Sequence, residues 1–218
     1  IRLAISTCPN DTFAFHALMN QMVDTEGLRF EIELLDIQQL NTLALCREVD
    51  VLKASFAAAA EVAADYWILP SGSALGFGVG PLLLAAQPDS TPDGPQYMTL
   101  CPGKHTTAAL LFELFYPSAD NIEHVVFSDI MPKLKDRSAD FGVCIHEGRF
   151  TWQQNGLHLV EDLGRRWEQT TGNPLPLGGI LASRKLSPKT TGRVQRSLHR
   201  SLQWASLHPQ DTLPTMRK

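Results

Sequence analysis

The chain has 218 residues, 44% hydrophobic and 19% charged, an ordinary globular composition with ample apolar material for a buried core. Its net charge of −4 and the lack of any basic run argue against a nucleic-acid partner. The longest apolar run, Gly80 to Ala86, is far too short to span a bilayer, so no membrane association is expected.

In chain order, four segments share one pattern: a strand-like apolar run, a short polar junction and a helix-like run. The first is "IRLAIS", then "TCPND", then "TFAFHALMNQM". Asp11 is the expected N-cap, with Phe13, Leu18 and Met22 on one helical face. "LRFEIELLD" adds a strand. The second segment is "VDVLKA", then Ser55 at an N-cap position, then the alanine-rich "FAAAAEVAADY". "SALGFGVGPLLLAAQ" reads as a glycine-rich turn and a buried strand. Its "GFGVG" precedes a strand instead of opening a helix, so it does not qualify as a dinucleotide fingerprint. The third segment is "QYMTLC", then "PGKHT", then "TAALLFELFY", with Thr106 or Thr107 as cap. The fourth is "ADFGVCI" running into "HEGRF".

Alternating strands and helices predict an α/β fold with largely parallel sheets. The linker-like "PDSTPDGP", residues 88–95, and the return "TGNPLPLGGILAS" divide the chain. One domain is expected over 98–178, and another is built from 1–97 plus 179–218. In open α/β sheets, ligands bind outside the carboxyl ends of the strands. The junctions at 8–12, 53–56, 103–108 and 146–149 all sit at such ends. They predict a cleft between two domains for a small anionic, carboxylated molecule.

Within these junctions, His146 has the chemistry of a general base, with Glu147 and Arg149 beside it to orient it or pair with an anion. The bland alternative is a packed histidine at a strand end, and His105 is a second candidate base. Lys53 and Ser55 suit a carboxylate, although Lys53 also reads as a solvated strand-end lysine. Cys8 stands at a helix start, where thiols become acidic, but no partner for a nucleophile is visible. Cys8, Cys46, Cys101 and Cys144 share no CxxC spacing and read as buried thiols, so no metal or other cofactor is expected. No secretory signal opens the chain, which points to the cytoplasm. "TLPTMRK" ends in the middle of a plausible helix, so the protein is expected to continue.

"STCPNDTFAF", "LKASF", "SALGFGVGPLL", "PGKHTTA", "IHEGRFTW" and "PLPLGGI" occur in the order found in 1,4-dihydroxy-6-naphthoate synthases, which this sequence resembles over nearly its whole length. The resemblance implies a two-domain type II periplasmic-binding-protein-like fold used as an enzyme of the futalosine route to menaquinone. It implies a lyase that converts cyclic dehypoxanthine futalosine to 1,4-dihydroxy-6-naphthoate and a ribose-derived fragment. It places the catalytic base at His146 and substrate contacts at Lys53, Ala54, Ser55, Thr107 and Ala108. Alternatives on the same scaffold are a chorismate dehydratase-like enzyme and a non-catalytic solute-binding protein. The oligomeric state is not legible.

Overall fold

The computed structural model describes residues 1–146 and 148–216. The chain folds as two compact units, Ile1–Ala74 together with the chain from Gly178 onward, and Leu75–Leu177.

The first unit begins with β1 (Arg2–Ser6), α1 (Pro9–Met19), β2 (Glu31–Leu35), α2 (Ile37–Cys46) and β3 (Val51–Ser55). A short α3 (Phe56–Glu61) and edge strand β4 (Tyr66–Ile68) follow. Strands β1, β2 and β3 are parallel, with β1 in the middle. The chain thus leaves β1 for β2 on one side and returns to β3 on the other. That reversal makes a topological switch point at the carboxyl ends of β1 and β3. Strand alternation sorts the core into two layers. Leu3, Ile5 and Val51 pack on one face of the sheet. Ala4, Leu52 and Ala54 pack on the other.

Helix α1 starts at Pro9, with Cys8 and not Asp11 at the N-cap. Proline is pre-organised for the first helical position, so the helix begins before the aspartate. It ends at Met19, which leaves Met22 outside it and exposed; Phe15, Ala17 and Leu18 supply the buried face. The alanine-rich stretch forms only the six residues of α3, and Tyr66 goes to β4.

The second unit contains β5 (Ala74–Gly76), whose first residue belongs to the other unit, and β6 (Leu82–Ala85). Next come β7 (Thr99–Cys101), α4 (Thr107–Phe115), β8 (Ile122–His124), α5 (Phe127–Lys135) and β9 (Phe141–Cys144). A single-turn α6 (Gly148–Thr151), β10 (His158–Asp162) and α7 (Leu163–Thr171) complete it. The sheet order is β10-β6-β9-β7-β8. Strands β7, β8 and β9 are parallel, and the chain again reverses direction around β7. Strands β6 and β10 run antiparallel, so this sheet is mixed and not largely parallel. Strand β6 lies before residue 97, yet it pairs with β9 and β10. Its hydrogen bonds place it in the second unit, although the sequence division assigned it to the first.

The return strand β11 (Leu175–Ser183) pairs antiparallel with β3 and β4 from Gly178 onward. The 20-residue α8 (Pro188–Leu207) then lies along α1, and α9 (Pro209–Met216) follows. Ser201 on α8 locks the two helices. Its hydroxyl donates to the Ala14 carbonyl at 2.8 Å and accepts from the Leu18 N–H at 3.1 Å.

Candidate functional site

The switch point of the first unit carries a buried polar network. Lys53 leaves β3 on the same face as Val51, towards α1, and is only 8% exposed. Its Nζ donates to Asp11 Oδ1 at 3.1 Å and to the Gly72 carbonyl at 3.2 Å. Asp11 Oδ2 accepts from the Ser6 hydroxyl at 2.6 Å and from the Ser6 N–H at 3.3 Å. Lys53 is therefore not a solvated strand-end lysine. A buried charge of this kind is tolerated because its partner is itself hydrogen-bonded.

Ser55 ends β3 at the N-cap position of α3, but its side chain makes no cap bond. It is held instead by Asn41 of α2, which is 1% exposed. The Ser55 N–H donates to Asn41 Oδ1 at 2.9 Å, and Ser55 Oγ accepts from Asn41 Nδ2 at 3.1 Å. Ala54, between the two, is fully buried and faces Gly179 of β11 in the ladder. The neighbouring glycine is required by close approach. A Cβ on Gly178 would lie 2.7 Å from the Ala54 carbonyl oxygen and 3.3 Å from Lys53 Cε. This explains a glycine in "PLPLGGI".

In the second unit, β7 and β9 lie side by side, with Thr99 opposite Phe141 and Leu100 opposite Gly142. Their carboxyl ends bring 102–108, 145–146 and 148–149 to one end of the sheet. Thr106 caps α4 by accepting from the Ala109 N–H at 3.1 Å. Thr107, the first helical residue, donates its hydroxyl to the Leu177 carbonyl at 3.0 Å, and Ala108 is buried behind it. His105 is half-buried on the turn before this helix.

His146 follows β9 by two residues and is exposed. It has a left-handed backbone, φ 54°. Non-glycine residues adopt this conformation infrequently, histidine more readily than most. Its ring meets Phe127 edge-on, 5.0 Å between centroids. Its carbonyl accepts from the Arg149 N–H at 3.2 Å, closing the turn into α6. The Arg149 side chain is committed elsewhere: it donates to Asp162 Oδ2 at 2.6 Å and to the Gly80 carbonyl at 2.7 Å. These two contacts tie α6 to β10 and to the segment ahead of β6. Glu147 lies outside the described residues.

The other candidates separate on physical grounds. Cys8 does stand at a helix start, but burial pushes its thiol up, against a nucleophilic role. Burial likewise raises Cys101, and Cys144 to about 12. The last glycine of "GFGVG" serves packing. A Cβ on Gly80 would lie 2.3 Å from Gly164 Cα, so two backbones touch where a side chain has no room. Among the described residues, no group of three or more His, Cys, Asp or Glu is placed to hold a metal ion. No helix among them is long and apolar enough to cross a membrane.

Sequence reading missed Asn41, the supporting role of Asp11, and Asp162. Asn41 had one visible signal: a polar side chain on the face of α2 that also carries Leu40 and Ala44, all three buried.

The whole chain, residues 1–218, matches the family described as menaquinone biosynthesis. It is 41% identical over 217 residues to the "1,4-dihydroxy-6-naphtoate synthase" of Thermus thermophilus, covering 100% of this chain and 78% of that protein. It is 39% identical over 221 residues to the protein of the same name from Streptomyces coelicolor, covering 98% and 77%. A solved structure of an Archaeoglobus fulgidus protein superposes with a TM-score of 0.92 at 32% identity, over 100% of this chain and 80% of the other. A Candida albicans protein described as having the generic periplasmic binding protein fold gives 0.65 at 14% identity, over 99% and 74%. This chain is therefore a periplasmic-binding-protein-like fold, and it belongs to the menaquinone-biosynthesis family of the 1,4-dihydroxy-6-naphthoate synthases.

Proposed function

We propose that the chain is a carbon–carbon lyase of the futalosine route, which converts cyclic dehypoxanthine futalosine to 1,4-dihydroxy-6-naphthoate with His146 as general base. Lys53, Ala54 and Ser55 of the first unit bind the substrate, as do Thr107 and Ala108 of the second. The substrate is a small carboxylated anion, and the site of action is the cytoplasm.

The observation that carries this reading is the placement of His146. It stands just past the carboxyl end of β9, beside the switch point of its sheet, exposed and in a left-handed turn. Backbone outliers of this kind concentrate where function demands a particular side-chain direction. An imidazole there accepts a proton from substrate near neutral pH, because its ordinary pKa lies close to that range. Loss of that proton starts cleavage of the carbon–carbon bond. The electron pair of the broken bond stays on the ring fragment, the ribose-derived fragment departs, and aromatisation of the naphthalene drives the step. In the first unit, the Lys53 ammonium and the Ser55 hydroxyl are groups suited to a carboxylate oxygen.

Turnover assays with cyclic dehypoxanthine futalosine and with chorismate test the reading. Naphthoate formed from the first, with no dehydration of the second, supports it. Turnover of chorismate alone transfers the chain to the sister enzyme, and binding without turnover of either makes it a solute-binding protein.

A further inference from the structure

We infer that Phe127 is a positioning residue for His146: its ring holds the imidazole in the orientation from which it takes the substrate proton. The inference rests on the proposed role of His146 as base.

An exposed side chain samples several staggered rotamers, and a general base works only from those that aim its nitrogen at the substrate. The backbone of His146 meets half of this problem. Its left-handed φ of 54° sets where the Cβ points. Two bonds pin the turn: the Gly148 N–H donates to the Ile145 carbonyl at 3.2 Å, and the Arg149 N–H to the His146 carbonyl at 3.2 Å. The side-chain torsions remain to be set, and Phe127 is in contact to set them. Its ring lies 5.0 Å from the imidazole, centroid to centroid, with the two planes at 64°. This is the edge-on geometry that aromatic rings favour. The imidazole stays exposed, so the contact does not close it to substrate.

Phe127 is itself held. It is the first residue of α5, and the Val125 N–H just before that helix donates to the Cys101 carbonyl of β7 at 2.9 Å. Ile130 and Leu134 of the same helix are buried against β9, where a Cβ on Gly142 would lie 2.4 Å from Ile130 Cγ2. Met131 follows Phe127 by four residues and so shares its side of the helix. It reaches the same turn: a Cβ on Gly148 would lie 3.3 Å from Met131 Sδ. Helix α5 therefore backs the turn at two points, with Phe127 against the imidazole and Met131 beside the backbone. A ring carried by a seated helix gives an exposed side chain a fixed surface to align on.

The test measures steady-state turnover of cyclic dehypoxanthine futalosine by the full chain. Phe127→Leu keeps an apolar side chain but removes the ring. Its kcat should fall roughly 3- to 10-fold, the weight of one edge-on aromatic contact in a rotamer equilibrium, with KM within about 2-fold of the parent. Phe127→Tyr keeps the ring and should hold kcat within about 2-fold. In a His146→Asn background, Phe127→Leu should change the residual kcat by less than about 2-fold, because its effect passes through the imidazole. Parent-like kcat in folded Phe127→Leu overturns the inference. An equal loss in both backgrounds does so too, as does a loss in Phe127→Tyr as deep as in Phe127→Leu. A raised KM at unchanged kcat is equally fatal, since Phe127 would then serve substrate binding and not the base. Should Phe127→Leu not fold, Phe127→Met replaces it under the same criteria. Parent-like turnover in His146→Asn fails the base reading itself, an outcome separate from the failures above.

Discussion

The two units share a core topology but treat its functional end in opposite ways. In each, a central strand has parallel neighbours on both sides, and the chain reverses direction around it. At the first unit's switch point, Asp11, Asn41, Lys53 and Ser55 are all buried and bonded to one another in pairs. At the second, His146 is exposed on a left-handed turn, with Phe127 at its ring edge. The contrast matches two tasks. Binding a charge with little reorganisation calls for donors fixed in advance by a buried network. Taking a proton calls for a group that substrate can reach. On the proposed reading, the buried network is the substrate grip and the exposed histidine the base.

The largest effect expected from breaking this division is at the base. His146→Asn should lower turnover of cyclic dehypoxanthine futalosine about 10²–10⁴-fold while leaving product affinity close to the parent. Steady-state kinetics and calorimetry on the same preparation measure both. Parent turnover should also fall as pH drops through the range in which an imidazole protonates, since the protonated ring accepts nothing. Near-normal turnover in the folded variant would remove His146 as base and leave His105 as the candidate.

The next effect is on stability, at the grip. Asp11→Ala leaves the buried Lys53 without its carboxylate and should cost about 3–5 kcal/mol in denaturant unfolding. The double variant Asp11→Leu, Lys53→Met should recover most of that loss, because two apolar side chains leave no charge uncompensated. If the double variant is no better than the single one, the ion pair is not what Asp11 contributes.

These two sites were not equally legible. The placement of Ser55 at the end of a strand and of His146 just past one followed from apolar runs ending in polar junctions, while Lys53 lies inside β3. Their partners did not, because Asn41 lies 14 residues before Ser55 and Asp162 lies 13 after Arg149. No local rule of spacing reaches that far. Asp11 was misassigned as a cap because its residue type fits one, while Pro9 at the first helical position set the true start. The alanine run predicted a longer helix than α3. Tyr66 instead joins the edge strand, where its hydroxyl donates to the Val49 carbonyl at 3.0 Å. Strand direction was the remaining gap. Apolar runs read the same in parallel and antiparallel pairs, so the antiparallel course of β6, β10 and β11 was invisible.

A smaller effect sharpens the grip side. Ser55→Ala removes the hydroxyl but keeps the N–H bonded to Asn41. Product affinity should fall by about 1.5–3 kcal/mol, the worth of a hydrogen bond to a charged group, with turnover at saturation changed much less. Unchanged affinity would take Ser55 out of the binding site.

The smallest expected effect separates function from structure at His146. His146→Gly removes the side chain from a φ of 54°, where glycine is unstrained. Relief of that strain stabilises by about 1–2 kcal/mol. Loss of the edge-on contact with Phe127 opposes it by about 0.5–1.5 kcal/mol. The greater freedom of glycine in the unfolded chain opposes it by a further 0.5–1 kcal/mol or so. The terms nearly cancel, so unfolding should stay within about 1 kcal/mol of the parent while turnover drops as far as in His146→Asn. A fall in stability well beyond that range would show that the histidine is held there for packing. It would also erase the contrast between a buried grip and an exposed base, because both ends would then be structural.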